Sequence, residues 1–358
     1  MALKPRLDEK PWGGRRLGNL GVGLPDEGLF GEAVISAGDA VIEKGPFAGE
    51  PLEAVVRRDP EAVSGRHGLA ATGGSAVFPL LVKLIDAAEN LSVQVHPDDA
   101  TAPEGRLGKT EAYHVLESAP GAAIALGLGA GVTEEEFAEA CQAGSGATYG
   151  LLRWVPAVAG ETIVIPAGTV HALGAGCMVY EVQQPSDITY RFDDGGRVDR
   201  VGRRRELHVE AGMAVMNRGS RPEVIAPVRI AGGAGRRQLL CACQFFALER
   251  IALAGGEEVS VTAAGSAQVL TCLRGEVEIG SEAGQVRVSA GVSAILAAVI
   301  RRGMVRARTP AVVLRAWVPD LVHEAIGPAR EGGAADASIW ALSGALEDLR
   351  EAMRSGGG

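Results

Sequence analysis

Aromatic residues make up only 4% of this 358-residue sequence, and it carries no long apolar run, no excess of basic charge and no C-x-x-C pair. Each absence excludes something. No segment approaches the ~18 consecutive apolar residues of a membrane-spanning helix, and the opening MALKPRLDEK has no apolar stretch for a secretion signal. A net charge of −9 argues against nucleic acid or an anionic membrane as partner, so an anionic substrate has to meet a locally basic pocket. The five cysteines, Cys141, Cys177, Cys241, Cys243 and Cys272, are odd in number; Cys241 and Cys243 share one face of an apolar strand as small buried side chains. The expectation is a reduced, cytoplasmic protein.

What is plentiful is glycine, 50 residues, which with few aromatics favours tight turns and a β-rich architecture. From residue 77 onward, short strand-like runs alternate with Gly and Pro: VFPLLVKLIDAAENLSVQVH, TEAYHVLES, AAIALGL, ETIVIPAGTVHAL, CMVYEVQQ and DITYRF. One segment breaks the rhythm. GVTEEEFAEACQAG pairs Thr133 with Glu136 as a capping signal, spaces Phe137 and Ala140 on one helical face and stops near Gly144. A charged connection follows over 202–226, then a second set of strands over about 227–320. The pattern predicts barrels or jelly rolls. SIWALSGALEDLREAMRSGGG reads as a short amphipathic helix with Ile339, Leu342, Leu346 and Leu349 on one stripe.

Histidine is also scarce, with six in the chain. In LSVQVHPDDA, Leu91, Val93 and Val95 take one strand face, while Ser92, Gln94 and His96 take the other. His171 ends GETIVIPAGTVH, where a strand, a sharp turn and a new strand follow one another. Between these stretches, GKTEAYHVL puts Lys109, Glu111 and Tyr113 on one face and His114 on the opposite face, as a core or supporting residue. Gln94, His96, Glu111 and His171 make a plausible two-nitrogen, two-oxygen metal set, suited to Zn²⁺ without excluding Fe²⁺, Mn²⁺ or Co²⁺. His67, His208 and His323 lie in loop-like or polar contexts and are expected to face solvent. The second set of strands has no histidine before His323 and is expected to hold no metal.

GETIVIPAGTVHALG resembles the second cupin motif, and LSVQVHPDD with GKTEAYHVL resembles the type I phosphomannose isomerase version of the first. KPWGGRRLG, GPFAGEPLEAVVRRDPEAVSG, FPLLVKLIDAAENLSVQVHPDD and VYEVQQPSDITYRFDDGGR resemble that family in the same order. The resemblance implies a mainly β fold of two cupin-like β-barrel or jelly-roll halves, with a helical insertion and a short C-terminal helix. Its expected parts are an N-terminal segment, 1–75, packed on the catalytic barrel; the metal-binding barrel, 76–215, with the insertion at about 133–150; a metal-free barrel, 225–322; and the terminal helix, 335–355.

The implied activity is a metal-dependent aldose–ketose isomerisation of mannose 6-phosphate and fructose 6-phosphate through an enediol. The implied metal ligands are Gln94, His96, Glu111 and His171, with zinc as the metal. Ser92 and Lys83 fall on the phosphate side, while Lys109, Glu181 and Arg191 fall at the reacting end, Glu181 as a candidate base. Tyr113 and His114 stand where the family more often shows tryptophan and tyrosine, which bears on sugar preference and packing. Two rival functions use the same kind of fold. Against a cupin dioxygenase stands Gln94 in place of a third histidine; against a non-catalytic sugar-phosphate-binding protein stand Lys109, Glu181 and Arg191.

Overall fold

The computed structural model describes residues 1–198, 202–232, 235–262, 265–281 and 284–355. Four sheets of eight, six, five and four strands carry the fold, and none closes on itself among the described residues, so the halves are jelly-roll-like sandwiches. The six-stranded sheet runs, in spatial order, Thr162–Ile165, Glu111–Ser118, Cys177–Gln183, Leu81–Asp86, Phe30–Val34 and Arg6–Gly14. The five-stranded sheet runs Tyr190–Asp193, Val93–Val95, His171–Leu173, Ala123–Leu128 and Leu152–Pro156.

Side-chain alternation decides what each face does. In the six-stranded sheet, Tyr113, Val115, Cys177, Val179 and Ile85 point toward the five-stranded sheet and share a core with its Ile124, Leu126 and Leu173. Their neighbours Ala112, Tyr180, Val182, Val82 and Leu84 point the other way, into a core built with Leu239, Leu248, Leu314 and Trp317 of the eight-stranded sheet. A sheet covered on both faces reads as near-continuous apolar sequence, and all seven residues of Cys177–Gln183 are buried. Each fully buried Val or Leu there contributes about 1.5–3 kcal/mol, so a charged side chain in these strands needs a partner. The four-stranded sheet closes a separate core around Ile251, Leu270, Val277, Ile279, Val305 and Val313.

The N-terminal residues reach both sandwiches. Ala2–Lys4 pairs with Ser293–Leu296 and Val41–Lys44 in the eight-stranded sheet, while Arg6–Gly14 and Phe30–Val34 extend the six-stranded one. The inserted helix spans Glu134–Ala143; Thr133 Oγ1 accepts from Glu136 N at 3.1 Å and Glu136 Oε2 accepts from Thr133 N at 2.9 Å. The C-terminal stretch forms two helices, Asp336–Ala341 and Asp348–Ser355, rather than one. At the break the Ser343 hydroxyl lies 3.0 Å from the Trp340 carbonyl and 2.7 Å from the Leu346 carbonyl, and Gly344 follows at φ 62°. Residues 356–358 of that stretch lie outside the described residues. No helix among the described residues is long and apolar enough to cross a membrane.

Candidate active site

The first site residues meet where the two sheets of the N-terminal sandwich face each other. His171 is the direct cross-strand partner of Gln94. The P-x-G-x-x-H spacing works through its turn: Thr169 N donates to Pro166 O at 3.1 Å, and Gly168 sits at φ 83°, which the third position of such a turn requires. Gly168 N then donates to His96 O at 2.8 Å, tying the turn to the other histidine. The H-P-D-D and G-K-T-E stretches are locked in the same way. Gly108 lies so close to Asp98 that a Cβ there would fall 2.5 Å from its backbone carbon. Gly108 N donates to Asp99 Oδ1 at 2.7 Å and Lys109 N to Pro97 O at 2.9 Å.

Both imidazoles are oriented by backbone carbonyls. His96 Nδ1 lies 2.7 Å from Ile188 O and His171 Nδ1 lies 2.9 Å from Thr169 O. A carbonyl only accepts, so the Nδ1 atoms carry the protons and each Nε2 presents a lone pair. Those lone pairs face a carboxylate: His171 Nε2 is 3.0 Å from Glu111 Oε1 and His96 Nε2 is 3.6 Å from Glu111 Oε2. The three side chains are buried and their ligand atoms all lie within 4.8 Å of one another. Lys109 Nζ stands 2.8 Å from Glu111 Oε2 and 3.1 Å from His96 Nε2. Burial alone would raise the Glu111 pKa, yet neighbouring charge, Lys109 foremost, holds it well below the carboxylate range. Burial, reinforced by Lys109, pushes His96 well below the usual imidazole value, keeping it neutral.

Three mutually facing acceptors in a dry site are the donor set of a divalent cation. Gln94 completes it. Its Nε2 lies 3.1 Å from His171 Nε2, and Ser92 Oγ donates to its Oε1 at 3.2 Å. A hydroxyl serves either end of an amide, so turning Gln94 over would offer its oxygen to the cluster and keep the Ser92 contact.

Beside the cluster, Glu181 is cross-strand to both Lys83 and Tyr113. Lys83 Nζ lies 3.2 Å from Glu181 Oε2, both groups mostly buried. Burial raises the Glu181 pKa against the pull of Lys83 and Lys109. Lys83 moves up despite its burial because Glu181, Glu32 and Glu111 all face it. Arg191 is the register partner of Gln94 and donates to Glu206 O at 3.1 Å. A cavity of about 420 Å³ brings together Ser92, Lys83, Gln94, Lys109, Glu181 and Arg191; Gln94 and Lys109 both line it and touch the buried cluster.

Every site residue named from the sequence therefore lies in one place. Three more join them. Tyr113 and Trp12 line the cavity as buried side chains; Tyr113 was visible as the next same-face residue after Glu111. Arg205 also lines it, and no local pattern marked it. His114 is buried on the far side of its strand, with Nδ1 2.9 Å from Thr162 Oγ1, whereas His323 is exposed and His67 and His208 are half-buried.

Residues 36–132 match the family described as phosphomannose isomerase type I, catalytic domain. The chain is 35% identical over 286 residues to the mannose-6-phosphate isomerase of Streptococcus mutans, covering 78% of this chain and 87% of that protein. The crystal structure of the mannose 6-phosphate isomerase from Bacillus subtilis is similar at a TM-score of 0.76 and 26% identity, over 88% of this chain and 98% of that one. A zinc-bound mannose 6-phosphate isomerase shares the fold at a TM-score of 0.68 and 17% identity, over 89% of this chain and 99% of that one. With these likenesses standing on the cavity and its neighbouring cluster, the chain belongs to the type I phosphomannose isomerase family of the cupin superfamily.

Proposed function

We propose that this enzyme interconverts mannose 6-phosphate and fructose 6-phosphate in the cavity between Glu181 and Gln94, with zinc held by Gln94, His96, Glu111 and His171. The observation that carries the reading is the juxtaposition of a proton-poor ligand cluster with a buried, lysine-paired carboxylate. Bound there, zinc supplies Lewis acidity toward a carbonyl oxygen.

The chain's own groups do the rest. The Glu181 carboxylate takes the proton from C2 of the open-chain aldose and returns it to C1, while the hydroxyl proton passes from O2 to O1. Burial brings its pKa closer to working pH, where proton exchange is efficient. Lys109 and Arg191 face the oxygens that gain charge in the enediol and stabilise them in a water-poor pocket. Ser92 offers a hydroxyl to the substrate. Lys83 is charge-matched by Glu181, so in this reading it fixes the base in place instead of binding phosphate.

The test is turnover of mannose 6-phosphate beside mannose by the zinc-loaded protein. Conversion of the phosphorylated sugar, with mannose far slower, supports the proposal. No conversion by folded, zinc-loaded protein would overturn it.

A further inference from the structure

The charges lining the site cavity do not cancel evenly. Its cations are Arg6, Lys10, Lys83, Lys109, Arg191 and Arg205. Arg6 lies 2.9 Å from Asp8, Lys10 3.3 Å from Glu32, Lys83 3.2 Å from Glu181 and Lys109 2.8 Å from Glu111. The remaining lining carboxylate, Asp187, is matched by Arg106. That leaves the two arginines. Among the described residues Arg191 has no carboxylate in ion-pair range, and Arg205 shares Asp194 with Arg197. Besides Asp194, the exposed Glu89 comes within 3.9 Å of Arg197, so among the described residues three guanidinium groups meet two carboxylates, a surplus of positive charge on one side of the cavity.

The donors are also in excess. Arg191 Nε and Arg197 Nε are buried N–H groups without an acceptor. Burial lowers the Arg191 pKa, and the nearby Arg205 adds to that shift. Asp194 does not cancel the group; it aims it. Its Oδ2 accepts from Arg205 Nε at 2.7 Å and its Oδ1 from Arg197 Nη2 at 2.5 Å. Arg205 lines both the site cavity and the larger adjoining cavity, so it stands where the two meet. Lys10 also lines both, but Glu32 and Asp8 hold its ammonium.

We propose that Arg205, held by Asp194 where the two cavities meet, recognises the phosphate of the substrate and so sets the preference for a phosphorylated sugar. The proposal rests on the isomerase reading above. With Nε and Nη2 of Arg205 on Asp194, its Nη1 N–H groups remain for phosphate oxygens.

The experiment compares wild type, Arg205→Gln and Arg205→Lys by steady-state kinetics, and by calorimetric titration with inorganic phosphate. For Arg205→Gln the expected result is a KM for mannose 6-phosphate raised about tenfold or more, the scale of one charge-assisted hydrogen bond. The kcat should stay within about threefold, phosphate binding should weaken by a similar factor as KM, and any slow turnover of mannose should be unchanged. Arg205→Lys should fall between, keeping charge but losing the fork. If both variants bind phosphate and mannose 6-phosphate as wild type does, the proposal is overturned; if Arg205→Gln fails to fold, an unchanged KM in Arg205→Lys overturns it alone. Should wild type prove inactive on mannose 6-phosphate, phosphate binding that disappears in Arg205→Gln would keep the anion site while removing the isomerase reading.

Discussion

Replacing Lys83 with methionine separates a structural charge from a catalytic one. The substitution keeps most of the side chain's volume and removes the ammonium 3.2 Å from Glu181 Oε2. Glu181 already has a raised pKa because it is buried, and Lys83 is the largest influence holding it down. An opposite charge at this range shifts a carboxyl pKa by ~1–3 units, so losing it raises Glu181 further by that amount, equivalent to ~1.4–4 kcal/mol. The sign follows from proton linkage. A folded-state pKa raised above the unfolded value means that the native protein binds more protons, so stability is lost as pH rises from the unfolded value through the folded one. Lys83→Met should therefore be near wild type at pH 5 and progressively weaker toward pH 8, read from urea midpoints at each pH. If Glu181 is the base, the ascending limb of the kcat/KM–pH profile should move upward by about the same one to three units. An unmoved limb together with pH-independent midpoints would refute the pairing argument.

Other outcomes follow from buried groups elsewhere. His114 is pushed down to about 4 by burial, so the native state stays neutral while the unfolded chain protonates. It should withdraw ~1.4 kcal/mol of stability per pH unit as pH falls from about 6.5 toward 4. His114→Gln should flatten that acid limb in an unfolding titration, and an unchanged limb would exclude His114 as its source. Arg315 donates to Gln268 at 2.6 Å, pairs with Glu249 at 2.9 Å and stacks its guanidinium 3.9 Å from the Trp317 ring centroid. Arg315→Met leaves Glu249 with Arg237 alone and should cost ~3–5 kcal/mol in chemical unfolding. A loss below about 1 kcal/mol would mean that Arg237 compensates.

Strand periodicity carried most of what the sequence told about the site. Ser92, Gln94 and His96 on one face, and Lys109, Glu111 and Tyr113 on another, are period-two patterns written within a few residues, and the fold keeps Ser92 and His96 beside Gln94 and Lys109 beside Glu111. The Thr133–Glu136 cap was legible for the same reason, since its partners are three residues apart. The unread parts depend on register between distant strands. Lys83 shares a face with Leu81 and Ile85, which marks it as an odd cation, but only the pairing of Leu81–Asp86 with Cys177–Gln183 shows that its anion is Glu181. The Asp194–Arg205 contact joins a strand end to a charged loop and leaves no periodic trace. The N-terminal strand was hidden because Ala2–Lys4 is three residues long and pairs with residues nearly three hundred positions away. At the other end, the apolar stripe suggested one helix, although the Ser343 hydroxyl contacts at its break reach only three residues to either side.

The central claim is that Gln94, His96, Glu111 and His171 hold the metal on which turnover depends. The direct measurement is the rate of mannose 6-phosphate conversion by the purified protein, by chelator-stripped protein and by stripped protein given zinc, each beside His96→Ala. Metal content and unfolding midpoint are recorded for every sample. The expected result is activity that vanishes on stripping and returns with about one zinc per chain, and a folded His96→Ala that neither binds zinc tightly nor regains activity. Full turnover by metal-free protein, or a His96→Ala that recovers as wild type does, would contradict it.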